Sequence, residues 1–470
     1  KTLYIGFKMK IFIVNKMITF FNQLNYKIKF LLDKNQKKRV IKNITSKSGL
    51  TMFAVVSQII FPPLMIMTWG LNNFGTWVFL IAIMQGATIF NINITEPVTN
   101  RMSILYNQKK LKDLNIIYSN FFIIIIFNII TYTILFLFFN SISKLDFKIF
   151  ESINLYELKL SFLILFISFI LNIYNNLFIT KINYTGKSYL SDNLTTCYDL
   201  ITKFLLVISG IFYNEFFVLT LIFLIVNLLK TITFVFISKR FTAVIKIKYF
   251  TIKKLSKIIN ESMGNIVETI SHTIKNNFQI ILLGFFLNAP IVAIISTYKT
   301  LFYFMPIRLL DIISSTANYE IIRFYTKKQF TKLRYNLINL LNLNFILSII
   351  IFVFAISLGP LFYQYWIKEV NDPNVLLILF LITDSIFVNL SNTIILIEKS
   401  LNRYFKISLI MLINYSISII LGYFILLQSF NYINLFIVNT IVSIIIFFIF
   451  LLFSKEFKKI IKKIPLKRFK

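Results

Sequence analysis

The sequence predicts an all-α polytopic membrane protein with about 12 transmembrane helices, and two observations lead to this prediction. Hydrophobic residues make up 57% of the chain and its mean hydropathy is +0.77, an apolar share well above that of an ordinary globular protein. The apolar residues are also gathered into separate runs between about Gly49 and Phe453. A run of roughly 20 apolar residues is long enough to cross the hydrocarbon core of a bilayer as a helix.

The predicted spans follow one another closely, with short connectors between them. The runs from Phe121 to Phe139 and from Tyr432 to Phe453 reach the length of a membrane-spanning helix without interruption. The predicted centres lie near residues 58, 84, 127, 168, 204, 225, 274, 301, 347, 385, 416 and 443.

Both ends of the chain are basic. Residues 1–48 mix apolar and basic side chains, which predicts an interfacial amphipathic helix followed by a cytoplasmic arm. A secretory signal peptide is the alternative, but Asn15, Lys16 and Asn22 would interrupt its apolar core and no small-residue cleavage site follows. The tail, residues 454–470, is predicted to be a second basic cytoplasmic segment.

The distribution of Lys and Arg predicts the orientation of the spans. With both termini in the cytoplasm, the cytoplasmic segments hold 41 of the 50 Lys and Arg, whereas the opposite connectors hold four. Short cytoplasmic loops carry such an excess of positive charge. The net charge of +32 then lies largely at the membrane surface, against anionic lipid head groups, and nucleic acid is not an expected partner.

The spans divide into two six-helix halves in the same orientation. Gly75 opens the second span and Pro290 the eighth, an offset of 215 residues, while the connectors that contain Lys187 and Arg403 are offset by 216. Parallel repeats with a site between them are typical of transporters. The predicted division is an N-terminal lobe at 49–236, a basic cytoplasmic linker at 237–262 and a C-terminal lobe at 263–453.

Two stretches of the sequence carry a resemblance to a known family. The string Gly70-Leu71-Asn72-Asn73-Phe74-Gly75-Thr76-Trp77 follows a span that contains Pro62-Pro63, and the string NNFQIILLGFFLNAPIVAIISTYKTL runs from Asn276 to Leu301. They resemble the second helix and the seventh and eighth helices of the O-antigen type polysaccharide flippases of the multidrug/oligosaccharidyl-lipid/polysaccharide (MOP) exporter superfamily. The resemblance covers about residues 45–453, and Gln279 stands where the family pattern has Asp.

This resemblance implies a MOP/MATE-like fold and a transport function without enzymatic activity. The implied substrate is an oligosaccharide repeat unit linked to undecaprenyl diphosphate, moved across the bacterial inner membrane by alternating access for the assembly of surface polysaccharide such as O-antigen of lipopolysaccharide. Membrane lipid and this substrate are the implied partners, and a polysaccharide polymerase or chain-length regulator is a further candidate. No cofactor is implied, and the coupling cation, H⁺ or Na⁺, is left open.

Ionisable side chains inside the spans point to a site, because they are costly in hydrocarbon and usually face a cavity or a partner. Lys203 could instead pair with Asp199, one helical turn away, and Arg308 with Asp311. Lys299 and Arg308 are nine residues apart, on opposite faces of a straight helix, so one of the two is expected to line the cavity unless Pro306 bends the helix. The candidates for a cationic cavity that holds a diphosphate are Lys203, Lys275, Lys299 and Arg308.

A second set of residues predicts a polar wall. Glu268, His272, Lys275 and Gln279 recur at helical spacing, which predicts one stripe facing an aqueous cavity. His272 could carry a proton or form a simple interior hydrogen bond, and Lys275 could bind substrate or neutralise Glu268. Asp384 could bind a coupling cation or offset a neighbouring lysine. The polar and coupling candidates are Gln85, which could contact sugar hydroxyls or a neighbouring helix, and Glu268, His272, Gln279 and Asp384.

Other function classes fit the sequence less well. The string KINYTGKS ends like a nucleotide-binding P-loop, but Lys181 occupies the position of its first glycine and the string lies in a membrane connector, which excludes the phosphate cradle. A membrane glycan polymerase or glycosyltransferase generally needs a large external loop, and the longest outer connectors, Ser141 to Glu157 and Gly359 to Pro373, are short. A MATE-like drug or cation exporter should have carboxylates dominating its cavity.

The charge distribution makes a direct prediction of topology. Reporter domains fused near Asp146 and Glu369 are expected to read as external, and those near Lys253 and Lys463 as cytoplasmic, because Lys and Arg crowd the predicted inner connectors. Alkaline phosphatase and green fluorescent protein fusions measure this. A cytoplasmic signal at Glu369 would contradict the predicted orientation of the second half.

Overall fold

The structure is a computed structural model that describes residues 34–141, 148–150, 155–213, 215–246, 249–311, 314, 321, 324, 329–370, 372–400, 404–429 and 431–454. The N-terminal segment up to residue 33 and the tail from residue 455 lie outside the described residues. So does Lys144, one of the few basic residues of the predicted outer connectors. Helices form nearly all of the described chain, and it contains no strand. This is the expected result for a membrane-embedded chain, because a helix satisfies its backbone hydrogen bonds within one segment.

Fourteen α-helices organise the described residues. Two of the connections between them are π turns, at Ile274–Phe278 and Thr300–Phe304, and the second of these continues as helix to Asp311. Short 3₁₀ turns lie at Thr88–Phe90 and Lys148–Phe150. The α-helices are α1 Lys34–Ala87, α2 Thr95–Asn107, α3 Leu111–Ser141, α4 Leu155–Asn183, α5 Ser188–Phe212, α6 Phe216–Ser238, α7 Ile252–Thr273, α8 Gln279–Phe286, α9 Ala289–Lys299, α10 Phe330–Ser357, α11 Gly359–Trp366, α12 Val375–Ser400, α13 Phe405–Ser429 and α14 Tyr432–Phe453.

Within the described residues, ten helical stretches are long and apolar enough to cross a membrane. The difference from the predicted 12 has two physical reasons. The spans expected near residues 58 and 84 are the two arms of α1, which join at a break without an intervening loop. The span expected near residue 274 consists of α7, the first π turn and α8, and its polar residues keep it below the hydropathy of the others. Every predicted span centre lies on a helix or a π turn.

The break in α1 depends on a glycine. Gly70 has φ +80° and ψ 165°, in the region that glycine enters without the steric penalty of a side chain. The first arm of α1 therefore ends at Trp69, and the second arm runs from Leu71 to Ala87. The sequence places Gly70 at the head of the string that resembles the flippase family, so the conformation explains one of the residues of that string.

The helices form two groups that meet along one interface. In the N-terminal half, α1 packs on α5 and α4 packs on α6; in the C-terminal half, α12 packs on α14 and α7 on α13. The two groups meet mainly where α1 packs against α9. The lobe boundaries predicted from the sequence stay predictions.

The two halves approach each other closely at Gly75. A Cβ atom at this position would lie 1.9 Å from the carbonyl oxygen of Ala289, which is a backbone atom and cannot rotate away. Glycine is therefore required for the second arm of α1 to pack against the start of α9. This contact closes the two halves together at the end of the molecule that carries the Gly70 break.

The linker between the halves is attached to the N-terminal half. Three polar side chains of α3 accept hydrogen bonds from its backbone, and Asn120 also donates to the Tyr249 carbonyl at 3.3 Å. The three acceptors are Asn115, bonded to the N–H of Val244 at 3.0 Å, Ser119, bonded to the N–H of Lys246 at 3.0 Å, and Asn120, bonded to the N–H of Thr251 at 3.3 Å.

The short helix α2 was not expected from the sequence, because its 13 residues carry too little apolar surface to predict a span. Its Arg101 forms a salt bridge with Glu261 of α7, and the side chain of Asn265 donates to the Asn93 carbonyl at 3.0 Å. Both contacts join the two halves at the end of the molecule opposite Gly70. The second short helix, α11, precedes the connector to α12.

Replacement of Gly75 tests the close approach. We expect Gly75→Ala to lower the free energy of unfolding by about 1 to 3 kcal/mol, the usual effect of overpacking, because its Cβ would overlap the Ala289 carbonyl. The measurement is the unfolding temperature of the purified protein in detergent. Gly210→Ala is the matched control, since its nearest neighbour is the Thr68 hydroxyl at 3.1 Å. Equal stability of the two variants would contradict the packing described here.

Candidate functional site

A large cavity lies between the two halves. Its volume is about 1130 Å³, and its wall comes from α1, α2, α4 and α5 on one side and from α7, α12 and the helix after the second π turn on the other. Several lining residues flank connectors that the sequence predicts to be cytoplasmic, such as Asn93, Asn183, Asp192 and Lys399. The cavity therefore opens toward the predicted cytoplasmic side, at the opposite end of the molecule from Gly70.

Most of the polar side chains in this cavity are uncharged. Asparagines and threonines from both halves line it, and each amide or hydroxyl can both donate and accept hydrogen bonds. The charged side chains of the wall are of both signs. The asparagines and threonines are Asn93, Thr95, Thr99, Asn100, Asn183, Thr195, Thr196, Asn265, Thr269, Asn276 and Asn392, and the ionisable residues are Glu96, Asp192, Glu268, His272, Arg308, Asp311 and Lys399.

Two smaller pockets adjoin the large cavity. The first, of about 350 Å³, shares Ala54, Thr196 and Arg308 with it and lies mostly within the N-terminal half. The second, of about 230 Å³, lies between the halves and shares Gln85 and Lys203 with the first. We refer to them as the N-terminal pocket and the interface pocket.

The N-terminal pocket is predominantly cationic. Lys203, Lys230 and Arg308 line it, and Asp199 is the single carboxylate on its wall. Arg308 belongs to the C-terminal half, so cations of both halves meet here. Aromatic rings complete the wall, with Trp77 packed edge-on against Phe223 at 6.0 Å.

The charges of this pocket are only partly neutralised. The Lys203 ammonium donates to the Ser57 hydroxyl at 2.7 Å and does not form the ion pair with Asp199 that its spacing allowed. Asp199 instead accepts from Lys230 at 3.4 Å. Among the described residues no carboxylate lies within salt-bridge distance of Arg308, including the expected Asp311.

Lys230 is a cavity residue that the sequence analysis missed. It lies in α6 and is 7% exposed. A lysine within the apolar run Phe216–Ser238 has the same signal that identified Lys203, namely an ionisable group inside a span. Gln85, a polar candidate of the sequence analysis, lines the interface pocket together with Lys203 and Lys299.

Lys299 is almost completely buried, with 1% exposure. Its ammonium donates to the Gln279 side chain at 2.7 Å and to the Asn276 carbonyl at 3.2 Å, so two neutral oxygens hold it. It also lies beside the rings of Tyr303 and Phe304, at 5.9 and 5.6 Å from their centres. Gln279, where the family pattern has Asp, thus binds a lysine without neutralising its charge.

Both Lys299 and Arg308 reach cavities, although a straight helix would direct only one of them there. The second π turn lies between them. A π turn absorbs one extra residue, so the nine residues advance the helix by about eight steps of about 100°, which brings the two side chains to within about 80° of each other. The π turn provides a geometric reason for this arrangement.

Lys275 and Asp384 form a buried ion pair. The Lys275 ammonium donates to the Asp384 carboxylate at 2.7 Å and to the Ser443 hydroxyl at 2.8 Å, and the two residues are 4% and 5% exposed. The rings of Tyr303 and Tyr415 flank the ammonium at 5.2 and 4.9 Å. Lys275 lines none of the three cavities, and its partner is Asp384, not Glu268.

Glu268 belongs to a different network, on the wall of the large cavity. It accepts from Lys399 at 2.7 Å and lies 3.8 Å from His272. The predicted stripe on this span therefore divides in two. Glu268 and His272 face the cavity, whereas Lys275 and Gln279 lie in the interior of the C-terminal half, because the first π turn, Ile274–Phe278, rotates the helix between them.

Comparisons with known proteins identify the fold. No family model and no curated protein matches the sequence. Solved structures do match. One is an inward-facing multidrug resistance MATE family transporter of the MOP superfamily, with 14% identity, a TM-score of 0.59, and coverage of 87% of this chain and 96% of the other.

Two further structures match over most of their length. The lipid II flippase MurJ in an inward closed conformation has 19% identity and a TM-score of 0.65, with 88% of this chain and 89% of the other covered. The MATE multidrug transporter DinF-BH in complex with R6G has 11% identity and a TM-score of 0.65, with 91% and 97% covered. The chain thus has a fold similar to that of these MATE and MurJ structures, which confirms the predicted all-α, MOP/MATE-like membrane fold.

The buried ion pair allows a test of which partner Lys275 serves. We expect Lys275→Met to reduce the free energy of unfolding by about 3 to 5 kcal/mol, since it leaves the Asp384 carboxylate buried without a cation. The double variant Lys275→Met with Asp384→Asn should recover most of that loss, because neither charge remains. Thermal unfolding in detergent measures both, with the exposed Lys159→Met as control. Recovery with Glu268→Gln in place of Asp384→Asn would contradict the pairing.

Proposed function

We propose that this chain is a secondary transporter that flips a lipid-linked oligosaccharide, of the undecaprenyl diphosphate type, from the cytoplasmic to the periplasmic leaflet of a bacterial inner membrane. It would do so by alternating access of a site between the two halves, for the assembly of surface polysaccharide. The observation that carries the proposal is the excess of cationic side chains in the N-terminal pocket and the interface pocket, which adjoin the large, polar cavity.

The charge of these pockets suits a diphosphate. Lys203, Lys230 and Arg308 face Asp199 in the N-terminal pocket, and Lys203 and Lys299 line the interface pocket without a carboxylate. A positive charge that is partly removed from water attracts a phosphate more strongly than the same charge at the surface. The Arg308 guanidinium would bind phosphate oxygens bidentately and the lysines as point charges.

The large cavity suits the glycan. Its asparagine and threonine side chains offer paired donors and acceptors to sugar hydroxyls, and its volume of about 1130 Å³ exceeds the roughly 300 to 1,000 Å³ of common small-molecule pockets. With the predicted topology, this cavity opens to the cytoplasm, where such a lipid-linked glycan would enter. Lobes that enclose a site between them are also the arrangement found in transporters built from two repeats.

The residues divide between binding and support in this proposal. Arg308 and Lys203 would contact the phosphates directly, whereas Lys275 and Asp384 would hold the first π turn and α12 in place, since their charges neutralise each other away from the cavities. Glu268, His272 and Lys399 would line the glycan path. The coupling cation stays open, because the Asp384 carboxylate proposed for it is occupied by Lys275.

Export of a cationic drug is the second candidate function. It is favoured by the carboxylates Glu96, Asp192, Glu268 and Asp311 on the wall of the large cavity, and two of the matching structures are of multidrug transporters. Glu268 is paired with Lys399, however, and the small pockets repel cations. The membrane enzyme alternative gains no support from these three matching structures, which are of two transporters and a flippase.

The proposal predicts the effect of removing the pocket cations. In a strain that lacks the gene, we expect the native protein to restore surface glycan and Arg308→Gln or Lys203→Gln to restore about tenfold less or lower still, since a hydrogen bond to a charged group contributes about 1.5 to 3 kcal/mol. Surface glycan and inner-leaflet lipid-linked repeat units are measured together. The repeat units should accumulate in the cytoplasmic leaflet.

Lys159→Gln is the matched control, because Lys159 is exposed and lies outside the three cavities. It should support export at the native level, with equal amounts of protein in the membrane. If deletion of the gene leaves surface glycan intact and raises sensitivity to cationic drugs, the drug-export function replaces the one proposed here.

A further inference from the structure

A tryptophan side chain of the C-terminal half donates a hydrogen bond to the backbone of α1 in the N-terminal half. The indole Nε1–H of Trp366, at the end of α11, donates to the carbonyl oxygen of Ile59 at 2.8 Å. This hydrogen bond joins α11 to α1. Ile59 lies on the first arm of α1, between Ala54, which lines the large cavity, and the break at Gly70.

The Ile59 carbonyl is available because of a proline. In an α-helix the carbonyl of residue 59 would accept from the N–H of residue 63, and residue 63 is Pro63, which lies inside α1 and has no N–H. A carbonyl without a donor in a water-poor setting is unfavourable. Trp366 therefore replaces a helical donor that the sequence itself removes.

The rest of α11 is fixed to the C-terminal half. Tyr363 is fully buried and stacks on Tyr298 of α9, with ring centres 3.9 Å apart, and its hydroxyl lies 2.6 Å from that of Thr297. Trp366 packs edge-on against Tyr363 at 5.9 Å. The indole is thus held by one half of the molecule while its N–H serves the other half.

The position of the bond relates it to the cavity. Lys399, at the mouth of the large cavity, lies near the end of α12, whereas α11 precedes the beginning of α12, about 39 Å away for a helix of 26 residues. Trp366 therefore joins the halves toward the end where they are closed, the same end at which Gly75 packs against Ala289.

We propose that Trp366 stabilises the state in which the cavity opens on the predicted cytoplasmic side. It does so by donating to the carbonyl of Ile59, which Pro63 leaves without a helical donor, and we refer to this hydrogen bond as the latch. When the halves separate at the Trp366 end, water can reach both the Ile59 carbonyl and the indole. The hydrogen bond therefore favours the state in which the halves are closed at this end, but it does not prevent their separation. This inference rests on the proposed alternating access. Its test reads only the distance between the halves and does not depend on the substrate.

The test combines Trp366→Phe with Pro63→Ala. Phenylalanine keeps a ring against Tyr363 and removes the donor, while alanine at position 63 returns an N–H to the helix and gives the Ile59 carbonyl a partner of its own. Spin labels at Asn72 and Glu369, both exposed and on opposite halves, report the separation by pulsed electron resonance. The background is Cys197→Ser, because Cys197 is exposed, in nanodiscs of phosphatidylethanolamine and phosphatidylglycerol.

We expect Trp366→Phe to raise the ratio of long to short label distances about tenfold, which corresponds to about 1.4 kcal/mol. In the Pro63→Ala background the same change should alter the ratio less than about twofold, since the carbonyl no longer needs the indole. Thermal unfolding of each variant confirms that it is folded.

Two results would overturn the latch. An unchanged ratio in Trp366→Phe would show that the bond does not bias the two states, and an equal shift in both backgrounds would show that Trp366 acts through its ring alone. The proposed transport function is tested by a different experiment, the deletion of the gene. It would be wrong if the amount of surface glycan did not depend on the gene.

Discussion

The organisation of this protein follows from the free-energy cost of placing charge in a hydrocarbon environment. Each ionised side chain within the spans must meet a counter-charge, a set of polar partners or a water-filled cavity. Lys275 and Asp384 satisfy the first condition, since their atoms are 2.7 Å apart in the interior of the C-terminal half. Arg308 satisfies the third, on the wall shared by the large cavity and the N-terminal pocket. The same constraint therefore separates supporting charges from those available to a substrate.

Much of the fold could be predicted from the sequence, because spans are encoded by local hydrophobicity. Each predicted centre lies on a helix or π turn, and the ionisable groups within spans were visible as exceptions to the apolar runs. The pairing of those groups could not be predicted. Lys275 and Asp384 are 109 residues apart in the chain, and only the tertiary packing of the C-terminal half brings them together. Lys230, like Lys203, is an ionisable residue inside a predicted span, but its span contains none of the other candidate site residues.

The helix face on which each side chain lies could not be predicted either. A regular helix would place Glu268, His272, Lys275 and Gln279 on one face, and this assumption fails because the first π turn shifts the later two into the protein interior. The second π turn has the opposite consequence, since it brings Lys299 and Arg308 nearer to one face. One extra residue per turn leaves no clear trace in composition or hydropathy. The site is therefore defined by two local irregularities that periodicity alone does not contain.

The attachment of the linker has a mechanical consequence. The backbone N–H groups of Val244, Lys246 and Thr251 donate to Asn115, Ser119 and Asn120 of α3, so these linker residues are attached to the N-terminal half. If the halves move relative to each other, as the proposed alternating access requires, the linker would bend beyond Thr251, at the first turns of α7. Its travel is limited there by the Arg101–Glu261 salt bridge, which lies less than three helical turns along α7. Although the linker is long in sequence, its hydrogen bonds to α3 leave only the residues after Thr251 to connect the two halves.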